Sequence, residues 1–139
     1  MGSEDLFFST ILKLERRHVV PVIVRKQNDD KAEWIYSESY VEYLKSRCLV
    51  KFTRKEDRVK IIKKLLDMYS EGILSIPTAH AALICLYLTN FFTLGNLNLI
   101  SDELSEKDIG QKRLETFSMI PEISIFADDD FFAFQLKKI

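Results

Sequence analysis

The order of apolar and charged residues between positions 55 and 72 admits one local structure. Val59, Ile62, Leu66 and Tyr69 recur at i, i+3, i+7 and i+10, and Ile61, Leu65 and Met68 widen the stripe. That is the period of an α-helix with one buried face. Thr53-Arg54-Lys55-Glu56 sets a threonine three residues before a glutamate, the capping-box pattern of a helix start. Gly72 stands at the C′ position, where left-handed backbone commonly ends a helix. Such a helix needs other apolar surface to bury its stripe, and the chain supplies it. Of 139 residues 47% are hydrophobic, with ten Phe and five Tyr against only four Gly and three Pro. A chain of this length makes a single compact domain over 1–139, or two very small lobes packed as a unit. It is long enough to fold on its core without disulfides or a metal.

The flanking elements follow from the same kind of pattern. Ser3 caps a helix predicted over 4–17, with Glu4 and Asp5 at its positive end and Arg16, Arg17 and His18 at its negative end. Its apolar set, Leu6, Phe7, Phe8, Ile11, Leu12 and Leu14, is broad. Residues 19–24 are β-branched and strand-like, Asn28 to Lys31 is turn chemistry, and Trp34-Ile35-Tyr36 is a return strand, so a hairpin is expected. Ser37 or Ser39 caps a short helix carrying Tyr40, Val41, Tyr43 and Leu44. Beyond Gly72, Ile73 to Ile76 is predicted as a brief strand before Pro77. Thr78 then caps a central helix to about Phe92, apolar on most sides. After Gly95 comes a short extended piece, followed by one or two short helices capped by Ser101 or Ser105 and reaching about Phe117. A second hairpin closes the chain, from Ile123 to Phe126 and from Phe131 to Leu136, around Asp128-Asp129. The fold class is α+β, helix-rich, with two short β-hairpins.

Two stretches of this order are similar to winged-helix architecture. Helix, hairpin, short helix and a longer helix ending in glycine is the order of the DEP family. The run Ser37-Glu38-Ser39-Tyr40-Val41-Glu42-Tyr43-Leu44 resembles that family's serine, acidic, apolar and aromatic-leucine segment. The segments 53–66 and Gly72-Ile73-Leu74 resemble its later helix and the apolar turn after it. Asp128-Asp129-Asp130-Phe131-Phe132-Ala133-Phe134 is similar to its acidic turn before an aromatic strand. Residues 77–120 exceed the family's usual spacing, and Ile35-Tyr36 and Ser37 replace its usual phenylalanine and glycine. The resemblance covers about half the chain. It implies either a DEP-like lobe over 1–76 beside a winged-helix-like lobe over 77–139, or one lobe with an insertion.

Chemistry-bearing motifs are scarce. Nucleophilic catalysis needs a nucleophile, a base and a group that orients the base. The histidines are His18 and His80, and Cys85 lies five residues from His80, outside the spacing that shares a helix face. His80 therefore reads as a core or partly exposed histidine, and Cys48 and Cys85, set in apolar runs, as buried thiols. There is no Cys-x-x-Cys, His-x-x-x-His or calcium-loop spacing. Glycines at 2, 72, 95 and 110 build no phosphate cradle, and the aspartates at 128–130 read as a solvated turn. No catalytic residue, metal or cofactor is expected.

Charge is the remaining signal. Residues 1–70 carry fifteen basic and eleven acidic groups, and residues 71–139 five and ten. The excess gathers in Lys45, Arg47, Lys51, Arg54, Lys55, Arg58, Lys60, Lys63 and Lys64. Lys60, Lys63 and Lys64 lie opposite the apolar stripe, with Glu56 and Asp67 four residues from Lys60 and Lys63, the spacing of an ordinary solvated face. Arg25, Lys26 and Lys31 stand near the tip of the first hairpin, and Trp34 at its base reads as core. The resulting expectation is a non-enzymatic interaction module, an adaptor or a subunit of a larger assembly. Its partner-binding residues would be Arg25, Lys26, Lys31, Arg54, Arg58, Lys60, Lys63 and Lys64, and its partner a protein. The alternative is a nucleic acid or ribonucleoprotein held by the 45–64 band, or an anionic membrane surface. The stretch from Ala79 to Phe92 contains His80, Thr89 and Asn90 and is shorter than the ~20 residues of a membrane span. With no signal-peptide pattern at the start, cytoplasm or nucleus is expected.

Overall fold

The first helix, α1 (Ser3–Arg17), turns Phe7, Phe8 and Ile11 inward and leaves Leu6 on the surface, so its broad apolar set narrows to one buried face. The computed structural model describes residues 2–17, 22–26, 32–47, 50, 52, 54–87, 95–96 and 104–126. Leu6 N–H donates to the Gly2 carbonyl at 3.2 Å, which makes Gly2, rather than Ser3, the residue before the helix. Strands β1 (Val22–Lys26) and β2 (Ala32–Ser37) pair antiparallel, with Val24 opposite Trp34 and Lys26 opposite Ala32. The expected first hairpin is present. Helix α2 (Glu38–Arg47) begins directly where β2 ends. The Ser37 hydroxyl accepts the Tyr40 N–H at 3.2 Å, so one serine closes the strand and caps the helix.

The strongest sequence signal becomes α3 (Lys55–Ser70), burying Ile61, Ile62, Leu65 and Leu66. Its N-cap is Arg54, in extended backbone and without a side-chain cap, so the capping-box register anchored on Thr53 is not the one used. Thr53 itself lies outside the described residues. Arg58 reaches back instead, its guanidinium donating to the Phe52 carbonyl at 3.1 Å. At the other end, Gly72 N–H donates to the Tyr69 carbonyl and Ile73 N–H to the Met68 carbonyl, with Gly72 at φ +78°. That pair of bonds is the Schellman motif.

The brief strand predicted over 73–76 is corrected. Ile73 and Leu74 form a turn, and Ile76 already opens α4 (Ile76–Tyr87). The cap moves with it from Thr78 to Ser75, whose carbonyl accepts the Ala79 N–H at 2.9 Å. Pro77 falls in the first turn, where its missing N–H costs no helical bond. Residues 78–86 of α4 are all buried, so this helix is central, packed on α1, α2 and α3. The part of the predicted helix beyond Tyr87 lies outside the described residues.

Strand β3 (Gly95–Asn96), helices α5 (Glu106–Ile109) and α6 (Gln111–Met119) and strand β4 (Glu122–Phe126) complete the fold. Ser105 caps α5, its hydroxyl accepting the Asp108 N–H at 3.2 Å, and Gly110 at φ +89° separates the two helices. The sheet order is β1-β2-β4-β3, with β4 parallel to β2 and antiparallel to β3. Both edges of β4 are thus paired, and residues 131–136, expected to return beside it, lie outside the described residues. The β2–β4 pair is buried on both faces: Tyr36, Ile123 and Ile125 on one, Glu33, Ile35, Ser37 and Ser124 on the other. One hydrophobic core runs from Phe7 to Ile125 and takes side chains from both stretches, 1–76 and 77–139, that the sequence suggested as lobes. The molecule is a helix-rich α+β protein.

Candidate functional site

The basic face of α3 follows from its buried stripe. Because Ile61, Ile62, Leu65 and Leu66 point into the core, Lys55, Lys60 and Lys64 are turned outward and Lys63 is half-buried. Their partners differ from the expected ones. Glu4 of α1 stands between Lys60 and Lys64, at 3.4 and 3.6 Å, and the Lys64 ammonium lies 4.5 Å from the centre of the Phe8 ring. Lys55 meets Asp108 at 3.6 Å, and Arg54 meets Glu56 and Asp57 at 3.8 and 3.6 Å. The expected Glu56–Lys60 and Asp67–Lys63 pairs are not the ones formed: Glu4 of α1 takes Lys60, Glu56 meets Arg54, and Asp67 meets Arg113.

Asp67 is taken by Arg113 of α6, Nε to Oδ1 and Nη2 to Oδ2, both at 2.9 Å. The hydrogen bonds and charge of Arg113 hold the Asp67 carboxyl below the usual carboxylate range. At the tip of the first hairpin, Arg25 and Lys26 belong to β1, where Arg25 registers with Glu33. Their side chains, and all of Lys31, lie outside the described residues, as do Lys51, His18 and Cys48. The structure therefore carries Arg58, Lys60, Lys63 and Lys64 on α3, with Arg54 as its N-cap.

The second cluster is internal and unforeseen. His80 of α4 is 0% exposed, its Nδ1 2.8 Å from the Tyr36 hydroxyl and its Nε2 2.8 Å from the Pro121 carbonyl. A carbonyl only accepts, so Nε2 carries the proton of the neutral ring, and Nδ1 accepts from Tyr36. Burial drives the imidazole pKa down to about 4 against the opposing bond to Pro121. Burial likewise raises the Tyr36 hydroxyl, with Tyr40 adding to it. Trp34 lies edge-on to His80 at 5.6 Å, Tyr36 stacks on Tyr40 at 5.5 Å and Tyr40 on Tyr43 at 6.1 Å. Arg47 covers the Tyr43 ring at 5.1 Å. Trp34, half-buried, packs against the core, as its sequence setting implied.

One signal pointed to this cluster: a lone histidine in an apolar helix must find partners for both nitrogens, and a tyrosine on the inward face of a strand is a ready donor. What sequence could not supply was the pairing across the 44 intervening positions. On the opposite face of β2, the Ser124 hydroxyl donates to the buried Glu33 carboxylate. Cys85 is buried on α4. Among the described residues no group of three or more His, Cys, Asp or Glu is placed to hold a metal, and no helix is long and apolar enough to cross a membrane. Fold and side chains together define a helix-rich α+β protein with a charged face on α3 and a buried Tyr36–His80–Pro121 hydrogen-bond cluster. Comparison with protein-family models, with curated proteins and with solved structures finds no match to this chain.

Proposed function

We propose that this protein is a non-enzymatic interaction module, an adaptor or a subunit of a larger assembly, which binds a protein partner through the basic face of α3 and the hairpin arm. The observation that carries the reading is the mounting of α3. Its inner face is locked in the core, so Lys60, Lys63 and Lys64 form a row on a rigid support. A preordered row of side chains loses less entropy on binding than a flexible one. The acids interleaved with it, Glu4, Glu56, Asp57 and Asp108, favour a protein surface of mixed charge over a nucleic-acid backbone, whose phosphates they would repel. The element order α1, β1–β2, α2, α3 supports the resemblance to DEP domains. His80 spends both nitrogens on internal bonds, which supports binding rather than proton transfer as the mode of action.

Site-specific photo-crosslinking in cells tests the reading. A crosslinker at position 63 is expected to trap one discrete protein, and a crosslinker at exposed position 122 none of that species. Equal capture from both positions, or nucleic acid as the species trapped at 63, would refute it.

A further inference from the structure

We propose that the Tyr36–His80–Pro121 contact is an acid-opened clasp, in which protonation of His80 releases strand β4 from β2 and α4 while the helices α1 and α3 stay packed. Three elements remote in sequence meet on one imidazole. Pro121 immediately precedes β4, Tyr36 lies in β2 opposite Ile125 of β4, and His80 itself belongs to α4.

With Nε2–H already committed to the Pro121 carbonyl, a second proton has only Nδ1 to occupy. There it turns an acceptor into a donor, facing a hydroxyl aimed at the same point. Tyr36 can rotate and accept, but its own hydrogen then loses its partner in a buried site. It cannot ionise to rescue the contact, since burial raises its pKa.

The groups around the ring offer no compensation. From β2 it meets Tyr36 and the uncharged Trp34, and ahead of β4 the Pro121 carbonyl. Tyr40 of α2 stacks behind Tyr36, and Cys85 lies more than one turn further along α4. Among the described residues no carboxylate contributes to the His80 titration, and the buried Glu33 sits on the other face of β2. A buried cation without a countercharge opens the structure that seals it.

Opening stays local because the part of the core contributed by α1 and α3 is apolar. Phe7 and Ile11 of α1 and Ile61, Ile62, Leu65 and Leu66 of α3 are buried in one apolar cluster, and among the described residues the buried polar side chains are Glu33, Ser37, Thr78, His80 and Ser124. None of these lies in α1 or α3. Asp67 and Asp108 are held below their usual range by Arg113 and Ser105 respectively.

Amide hydrogen exchange by NMR on the full chain, followed from neutral pH down to about 4, reads the device directly. Protection at Ile123, Ser124 and Ile125 is expected to fall across this range while Ile62 and Leu66 remain protected. His80→Gln keeps a donor for Pro121 and an acceptor for Tyr36 but takes no proton, so its β4 protection is expected to be flat with pH. Tyr36→Phe removes the competing hydroxyl hydrogen, and opening is expected to move to higher pH. The proposal is overturned if His80→Gln opens like the wild type, or if β4 and α3 lose protection together. Should His80→Gln not fold, an opening pH unchanged in Tyr36→Phe overturns it equally.

Discussion

Arg113 meets Asp67 as a planar fork on a carboxylate, two nitrogens on two oxygens at 2.9 Å each, and so fixes α6 against α3. Its remaining terminal nitrogen donates to the Ile109 carbonyl at 3.1 Å and closes the end of α5. One side chain thereby ties three helices. Arg113→Lys keeps the charge and loses the fork. Because the pair is partly exposed, solvent screening limits the cost, and Arg113→Lys is expected to destabilise by about 0.5–1 kcal/mol in urea unfolding.

The same pair sets a pH dependence. Asp67 is held below its unfolded value by Arg113, so its contribution is fully present above the ordinary aspartate range. It is lost as pH falls through the lowered folded value, because the unfolded state then binds the proton more readily. Acid unfolding of Arg113→Ala should begin at higher pH than in the wild type. An identical acid limb in both proteins would remove the ion pair from the account.

Tyr36→Phe leaves the buried Nδ1 of His80 without a donor. A stranded acceptor costs about 1–3 kcal/mol, expected as a lower midpoint with an unchanged m-value in denaturant unfolding at neutral pH. Loss of stability close to zero would mean that the hydroxyl contributes nothing to holding β2 on α4.

Gly72 is a position where backbone conformation alone decides. At φ +78° it closes α3, and a methyl group there would meet nothing within 4 Å. Gly72→Ala therefore carries only the left-handed strain, about 1–2 kcal/mol, read as a drop in Tm. Gly2→Ala, which has open space and no such conformation, is expected to be neutral.

What was legible in the sequence follows from how local each signal is. α3 was readable because seven apolar residues and a terminal glycine fix it within one segment, and Ser37 and Ser105 acted as caps for the same reason. The 73–76 segment misled because Ile73, Leu74 and Ile76 are as apolar as a short strand, while the deciding contact is distant. Glu15 of α1 accepts from both the backbone and the hydroxyl of Ser75, fixing the start of α4 there. The lysine partners were missed for a similar reason. Sequence offers the i, i+4 acid, but Glu4 and Asp108 arrive from helices whose placement depends on the whole core. The parallel pairing of β2 with β4 joins residues some ninety positions apart and leaves no local trace.

Binding through α3 is the claim on which the functional account turns, and affinity for the crosslinked partner measures it most directly. Titration calorimetry would compare the wild-type chain with Lys60→Gln/Lys63→Gln/Lys64→Gln, both checked for the same helical circular dichroism. A loss of roughly tenfold or more in affinity, about 1.4 kcal/mol, is expected, with a steeper salt dependence in the wild type. Equal affinity and equal salt dependence in the two proteins would contradict it.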